Sequence, residues 1–362
     1  MSFITSVGVS LPVYELHQKD IKSFIQHIFP RERREVERLL PVFEHASVEK
    51  RQFVVPMDWF DKDHTFQDRN DTYVEQALKH SLHAVDDCLK NDTFLQEQIP
   101  YEAIDMIIFV SSTGIATPTI DARMMNERPF RDDVKRVPLW GLGCAGGGAG
   151  MSRAMEYTKA YPDANVLVVC VELCSLTFQK DDHRKSNFIG AALFGDGISA
   201  ALVLGEQSPY LTQKRKVVPK MQTASSKLKK EALDVMGWNI NNDGFQVVFA
   251  RSIPSLVESF WKDHVTTFLE RNDLSPQNIP FFVAHPGGKK VLQAYEEVLQ
   301  CSSDKFKHSY DVLKNHGNMS SATVLYVLKK WMEEEQEIGT TSVMAALGPG
   351  FSSELIRLEW SS

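Results

Sequence analysis

One pattern occurs twice in this chain, and it limits the possible folds more than any other feature. In the first half an unbroken apolar run, "IDMIIFVSSTG" from Ile104 to Gly114, stops at turn residues; a glycine-rich helix start and a second apolar run, "NVLVVCVEL", follow it. In the second half "IPFFVAHPGG", the helical "NMSSATVLYVLKKWMEEE", and the apolar "TSVMAALGPG" and "FSSELIRLEW" come in the same order. Continuous apolar runs bounded by turn residues read as strands covered on both faces. Laid over one another, the strand end at Val283 to Gly288 matches Val110 to Gly114, and "KNHGNMSSATVLYVL" matches "LGCAGGGAGMSRAM". Gly348-Pro349-Gly350 likewise matches Gly195-Asp196-Gly197. The expected fold class is α/β, with two related βαβαββ halves, residues 1–205 and 206–362, facing each other.

Other stretches fill in that frame. Asp71 to Asn91 carries Val74, Ala77, Leu78, Leu82 and Val85 at helical spacing, and "VESFWKDHVTTFLERN" reads as another helix. The polar, basic "EQSPYLTQKRKVVPKMQTASSKLKKE" is expected to be a connection and surface hairpin between the halves. A formal charge of −7 argues against a general nucleic-acid binder while leaving room for a local basic mouth. No basic segment leads into an apolar one at the start, and no run reaches the roughly 18 apolar residues of a membrane span, so a cytoplasmic, unprocessed protein is expected. The five cysteines, Cys88, Cys144, Cys170, Cys174 and Cys301, are an odd number without a secretion signal, which argues for free thiols. None of them sits in a zinc-like spacing, so no metal site is expected.

Three strand-to-helix corners carry polar residues: Cys144 in "WGLGCAGGGAG", His285 in "VAHPGG" and Asn318 in "HGNMSSA". A thiol attacks as thiolate, and a helix N-terminus together with a nearby imidazole are two ways of favouring that form. An imidazole and a carboxamide placed together are two donors for a developing oxyanion. Taken singly, each residue has a plainer reading: a packed thiol, a core histidine, a helix-capping asparagine. Their coincidence at matching corners favours the chemical one. "GGGAG" is not a phosphate loop, because no Gly-Lys-Ser/Thr follows, and "GLGCAGG" does not fit the hydrolase elbow, having Leu142 where a glycine belongs.

Together, "WGLGCAGGGAG", "LFGDG", "AHPGG", "HGNMSSAT" and "ALGPGF" resemble the chalcone-synthase-like, or type III, polyketide synthases, and in particular the bacterial members that make alkylpyrones. The match runs in order from about Gly114 to Phe351. The resemblance implies a thiolase-like fold with a layered αβαβα core, a homodimer, coenzyme A thioesters as substrates, and neither a metal nor a prosthetic cofactor. It gives Cys144 the starter acyl group as a thioester, and gives His285 and Asn318 the malonyl thioester carbonyl, whose decarboxylation leaves an enolate that lengthens the chain. Phe194 matches an aromatic residue at the passage between coenzyme tunnel and cavity, and Val247 falls where plant members carry a second one. Cys174, Thr177, Ser320 and the Gly348-Pro349-Gly350 turn are placed at the substrate cavity. Thr117 falls where plant members reach into the partner's cavity. Small residues at these points suggest room for a long aliphatic chain. Lys50, Arg51 and Arg251 match cations that hold the coenzyme's phosphates.

The leading expectation is thus condensation of a fatty acyl-CoA with malonyl-CoA units to a triketide or tetraketide alkylpyrone. Its alternatives are an alkylresorcinol-forming synthase, a condensing enzyme like ketoacyl synthase III, a non-catalytic homologue, and a cysteine hydrolase acting on acyl-CoA.

Overall fold

The computed structural model of the chain describes residues 1–29, 37–250 and 252–362, so the Arg251 assignment lies outside the described residues. Strands β1 (Ser2–Ser10), β2 (Tyr14–His17), β3 (Lys50–Phe53), β4 (Met106–Ser111), β5 (Lys135–Trp140), β6 (Asn165–Leu173) and β7 (Asp196–Gly205) come first. They are followed by β8 (Val218–Leu228), β9 (Met236–Asn241), β10 (Gly244–Phe249), β11 (Phe282–Ala284), β12 (Thr341–Gly348) and β13 (Ser352–Ser361). Nine of these form one mixed sheet in the order β11-β12-β13-β8-β1-β7-β6-β4-β5.

The doubling read from the sequence is visible in the pairing. On one side β4 runs parallel to β5 and β6, while β7 is antiparallel to β6 and β1. On the other side β11 and β12 are parallel, and β13 is antiparallel to β12 and β8. The two sides join where β1 meets β8, at Ser2 with Met221 and Phe3 with Lys220.

The main helices are α1 (Gln18–Ile28), α2 (Pro41–His45), α3 (Phe66–Lys90), α4 (Gly146–Ala160), α5 (Lys185–Leu193), α6 (Lys262–Arg271), α7 (Lys289–Leu299) and α8 (Thr323–Glu333). Helix α3 starts with a capping box: Asp68 N–H donates to Thr65 Oγ1 at 3.1 Å and Thr65 N–H to Asp68 Oδ2 at 2.9 Å. Its buried stripe runs through Tyr73, Ala77, Ser81, Ala84, Val85 and Cys88, so Ala77 and Val85 of the expected face are on it, while Val74, Leu78 and Leu82 are only half-buried and the stripe is rotated away from them. Close approach explains the rotation. A Cβ on Gly8 of β1 would lie 2.2 Å from Cys88 N, so small residues have to face that strand.

The connection between the halves is corrected by the structure. Val218–Leu228 is not a surface hairpin but β8, inside the sheet between β13 and β1. Its polar side chains concealed it. Neighbouring elements satisfy them: Ser225 Oγ bonds His264 Nε2 at 2.9 Å, and Ser226 Oγ donates to Glu354 Oε2 at 2.6 Å. Helices α4 and α8 each touch strands of both halves, which brings their N-terminal turns together.

Candidate active site

Cys144 sits in the tight turn Gly143–Ala145 that leads into α4. Gly143 has φ +47, a left-handed conformation that favours glycine, and its N–H donates to Ser112 Oγ at 3.0 Å. Further along, a Cβ on Gly147 would stand 2.3 Å from the Ser321 carbonyl oxygen. The glycine-rich start of α4 thus lets the cysteine-bearing turn close on the turn that carries Asn318.

That second turn follows a helix, Lys307–His316, and not the strand expected before it, and it is tied to α5. Asn318 N–H donates to Leu193 O at 2.7 Å, and Gly195 N–H donates to Asn318 O at 3.0 Å, a parallel bridge between Phe194 and Asn318. The Asn318 carboxamide accepts Ser320 N–H at 2.8 Å on Oδ1, which lies 3.7 Å from Cys144 Sγ, and donates weakly from Nδ2 to Gly287 O at 3.3 Å. His285 follows β11, its N–H held by Ala345 O at 2.8 Å. Its ring is buried, and neither ring nitrogen has a hydrogen-bond partner among the described residues. Cys144, His285 and Asn318 line one cavity of about 560 Å³. A buried imidazole without a partner, facing a cavity of ligand size, is a hydrogen-bonding group held for something that enters.

Burial sets the protonation states of the pair. It pushes the Cys144 thiol up to about 12; Ser320 and Asn318 pull it back and the charge of Glu172 adds to the rise. Burial also pushes the His285 imidazole down to about 3. Around neutral pH the site therefore holds a thiol and a neutral imidazole. The imidazole can accept the thiol's proton as the sulfur attacks, and it can also donate one hydrogen bond.

The remaining expected site residues are spread over other places. Phe194, Cys174, Thr177 and Val247 surround a separate space of about 40 Å³, close to the room of one water. The small side chains of Cys174, Thr177 and Val247 leave little extra volume, because Phe24, Phe53, Phe60 and Phe178 line the same space. The aromatic residue on the catalytic cavity is Phe249, stacked on Phe194 with ring centres 5.5 Å apart. Ser320 is buried beside the thiol with φ +48, and does not line the cavity. Gly348, Pro349 and Gly350 are also off the cavity wall; a Cβ on Gly348 would stand 2.6 Å from Leu142 O, so Gly348 packs behind the Cys144 turn. Thr117 is exposed and lines no cavity described here.

The two cations assigned to coenzyme phosphates within the described residues do not reach the cavity. Arg51 is fully buried, its guanidinium donating to Phe194 O at 2.7 Å and to Gln18 Oε1, so it cannot meet a phosphate at a mouth. Lys50 pairs with Glu15 at 2.9 Å on the β2–β3 ribbon. The cations on the cavity wall are Arg38, Lys185, Lys289 and Lys290. The "HPGGKK" run was the available signal, since two lysines directly after the histidine corner begin α7 and share that wall.

Sequence reasoning also missed Glu172. It is fully buried on β6, accepting Ser321 Oγ–H at 2.5 Å and Ser112 N–H at 3.1 Å, and burial pushes its carboxyl up to about 7. A lone charge in the apolar "VVCVELC" was the clue.

Two family models match the chain. The chalcone and stilbene synthase N-terminal domain matches residues 3–207 and the C-terminal domain residues 220–359, so the chain belongs to the chalcone and stilbene synthase family. It is a type III polyketide synthase, a decarboxylative condensing enzyme that uses coenzyme A thioesters. A Bacillus subtilis (strain 168) protein whose name assigns it to the chalcone synthases is 49% identical over 361 residues, covering 99% of both chains. The Mycobacterium tuberculosis protein named alpha-pyrone synthesis polyketide synthase-like Pks18 is 27% identical over 366 residues, 98% of this chain and 90% of that one. The crystal structure of 1,3,6,8-tetrahydroxynaphthalene synthase from Streptomyces coelicolor superposes with a TM-score of 0.91 at 26% identity, over 99% of each chain, and confirms the thiolase-like fold.

Proposed function

We propose that this enzyme loads a long-chain fatty acyl group from coenzyme A onto Cys144, extends it with malonyl-CoA, and releases triketide or tetraketide alkylpyrones by lactonisation. The observation that carries the reading is the cavity itself. The three reactive side chains open onto a space lined by Val42, Ile189, Leu193, Met236, Phe249 and Ile253, with Arg38, Lys185, Lys289 and Lys290 also on its wall. An apolar space beside cations suits an alkyl chain carried on a phosphorylated coenzyme. The alpha-pyrone name of the mycobacterial relative supports the product class.

In this reading Cys144 Sγ attacks the acyl-CoA carbonyl while its proton passes to His285, and the coenzyme thiolate leaves with that proton. Malonyl-CoA then binds with its thioester oxygen between His285 N–H and Asn318 Nδ2–H. Loss of carbon dioxide leaves an enolate that those donors stabilise. The enolate carbon attacks the Cys144 thioester, the C–S bond breaks, and the extended chain returns to the coenzyme. Two such copies would pair through the exposed edge strand β5, whose Trp140 is half exposed, with Thr117 directed to the partner; this is the homodimer of the proposal.

The test is to incubate the protein with malonyl-CoA and acyl-CoA starters from acetyl-CoA to stearoyl-CoA and to read product masses. Starter plus two or three acetate units as pyrones, favouring long chains, supports the proposal. Resorcinol masses would instead indicate aldol closure. Free fatty acid with malonyl-CoA untouched would mean hydrolysis.

A further inference from the structure

Arg51 is a charged side chain placed where no water reaches, and the condensation steps above leave it without a part. Its Nη1–H donates to Phe194 O at 2.7 Å, and its Nη2–H donates to the side chain of Gln18. Gln18 in turn donates from Nε2 to Ala192 O at 2.9 Å and to Phe43 O at 3.1 Å. The guanidinium and the glutamine amide therefore occupy two carbonyls at the end of α5, the negative end of the helix dipole. The buried carboxylate facing Arg51 is Asp196, which accepts Ser175 N–H at 2.7 Å, Ser175 Oγ–H at 2.6 Å and Val54 N–H at 2.8 Å.

The segment held in this way, Leu193 to Gly195, is the one that pairs with Asn318. It has no slack: a Cβ on Gly195 would meet His316 O at 2.2 Å, and one on Gly317 would meet Leu193 O at 2.6 Å. A shift in the Phe194 carbonyl passes directly to the backbone of Asn318, and from there to the carboxamide beside Cys144.

We propose that Arg51 is a positioning residue for decarboxylation, clasping the end of α5 so that the Phe194–Asn318 bridge aims the Asn318 carboxamide into the cavity. This rests on the role given to Asn318 in the proposed function. Arg51 acts through the bridge and touches no substrate. Its planar fork is what the task needs, since a guanidinium serves two acceptors at fixed angles, whereas the three donors of an ammonium radiate from one nitrogen and cannot span both.

Arg51→Lys tests this while keeping the charge opposite Asp196. The expected result is a fall of roughly 10- to 100-fold in kcat for malonyl-CoA decarboxylation, with KM within about twofold, the scale of a misplaced catalytic group. Asn318 Oδ1 lies 3.7 Å from Cys144 Sγ and helps hold the thiol down, so alkylation of Cys144 by iodoacetamide is expected to slow as well, but by no more than about threefold, because the nucleophile itself is untouched. Gln18→Met, which keeps Arg51 but loses the second arm of the clasp, is expected to fall in the same direction by less, and serves if Arg51→Lys does not fold. Unchanged decarboxylation in a folded variant overturns the proposal. Equal losses in decarboxylation and alkylation overturn it as well, because they mark general damage. Wild-type protein that releases no carbon dioxide from malonyl-CoA overturns the reading of Asn318 itself, whatever the variants do.

Discussion

Glutamine in place of Glu172 removes a charge that its surroundings disfavour, and the consequence is measurable as stability. The carboxyl is fully buried, and desolvation raises it from 4.5 to about 7 against the hydrogen bonds from Ser321 and Ser112. That rise is worth about 3 kcal/mol, at about 1.36 kcal/mol for each step of one in pKa. Its sign follows from the folded protein binding this proton more tightly than the unfolded chain does. The contribution is fully present below about pH 4.5, is lost as pH climbs through about 7, and is flat above that. Urea unfolding of wild type and Glu172→Gln at about pH 5 and about pH 8 isolates the effect, since Asp196, raised to about 6, titrates in both proteins and cancels. The stability gap is expected to move by about 2.5 kcal/mol in favour of the glutamine variant between the two conditions. An equal gap at both would refute the reasoning, because it would mean that Glu172 ionises as easily in the fold as in water.

Other outcomes follow from the same geometry. Cys144→Ala is expected to show no acyl adduct by intact mass after incubation with a fatty acyl-CoA; an adduct that persisted would place the nucleophile elsewhere. Gly147→Ala puts a Cβ 2.3 Å from the Ser321 carbonyl, and is expected to cost about 1–3 kcal/mol in urea melts. Converting Lys289 and Lys290 together to alanine should raise KM for acyl-CoA about tenfold, given the modest worth of exposed ion pairs, and leave KM for a thioester lacking the nucleotide unchanged.

The three reactive residues were legible because each stands at a glycine-marked turn: His285 at the end of the buried strand β11, Cys144 after the edge strand β5, and Asn318 after the helix Lys307–His316. β6 spans Asn165–Leu173, the same bounds as its apolar run, for a related reason: a strand covered on both faces writes its whole length in hydrophobic residues. β8 had no such signature, since its polar side chains are satisfied by His264 and Glu354 from distant parts of the sequence. Arg51 shows the same limit. A cation next to another cation reads as a surface pair, and only the fold supplies the Phe194 carbonyl and Gln18 amide that let it be buried. Phe249 was passed over for Val247 because the two share one face of β10, and spacing alone does not tell which of them reaches the cavity.

The most direct test of the condensing site is Cys144→Gln, whose side-chain carbonyl stands in for the acyl thioester while His285 and Asn318 are left intact. Purified and supplied with malonyl-CoA, this variant is expected to release carbon dioxide and form acetyl-CoA, and to make no extended product when a fatty acyl-CoA is added. A variant that still condensed would contradict the covalent role of Cys144. One that had lost decarboxylation, while remaining folded, would contradict the assignment of that step to His285 and Asn318.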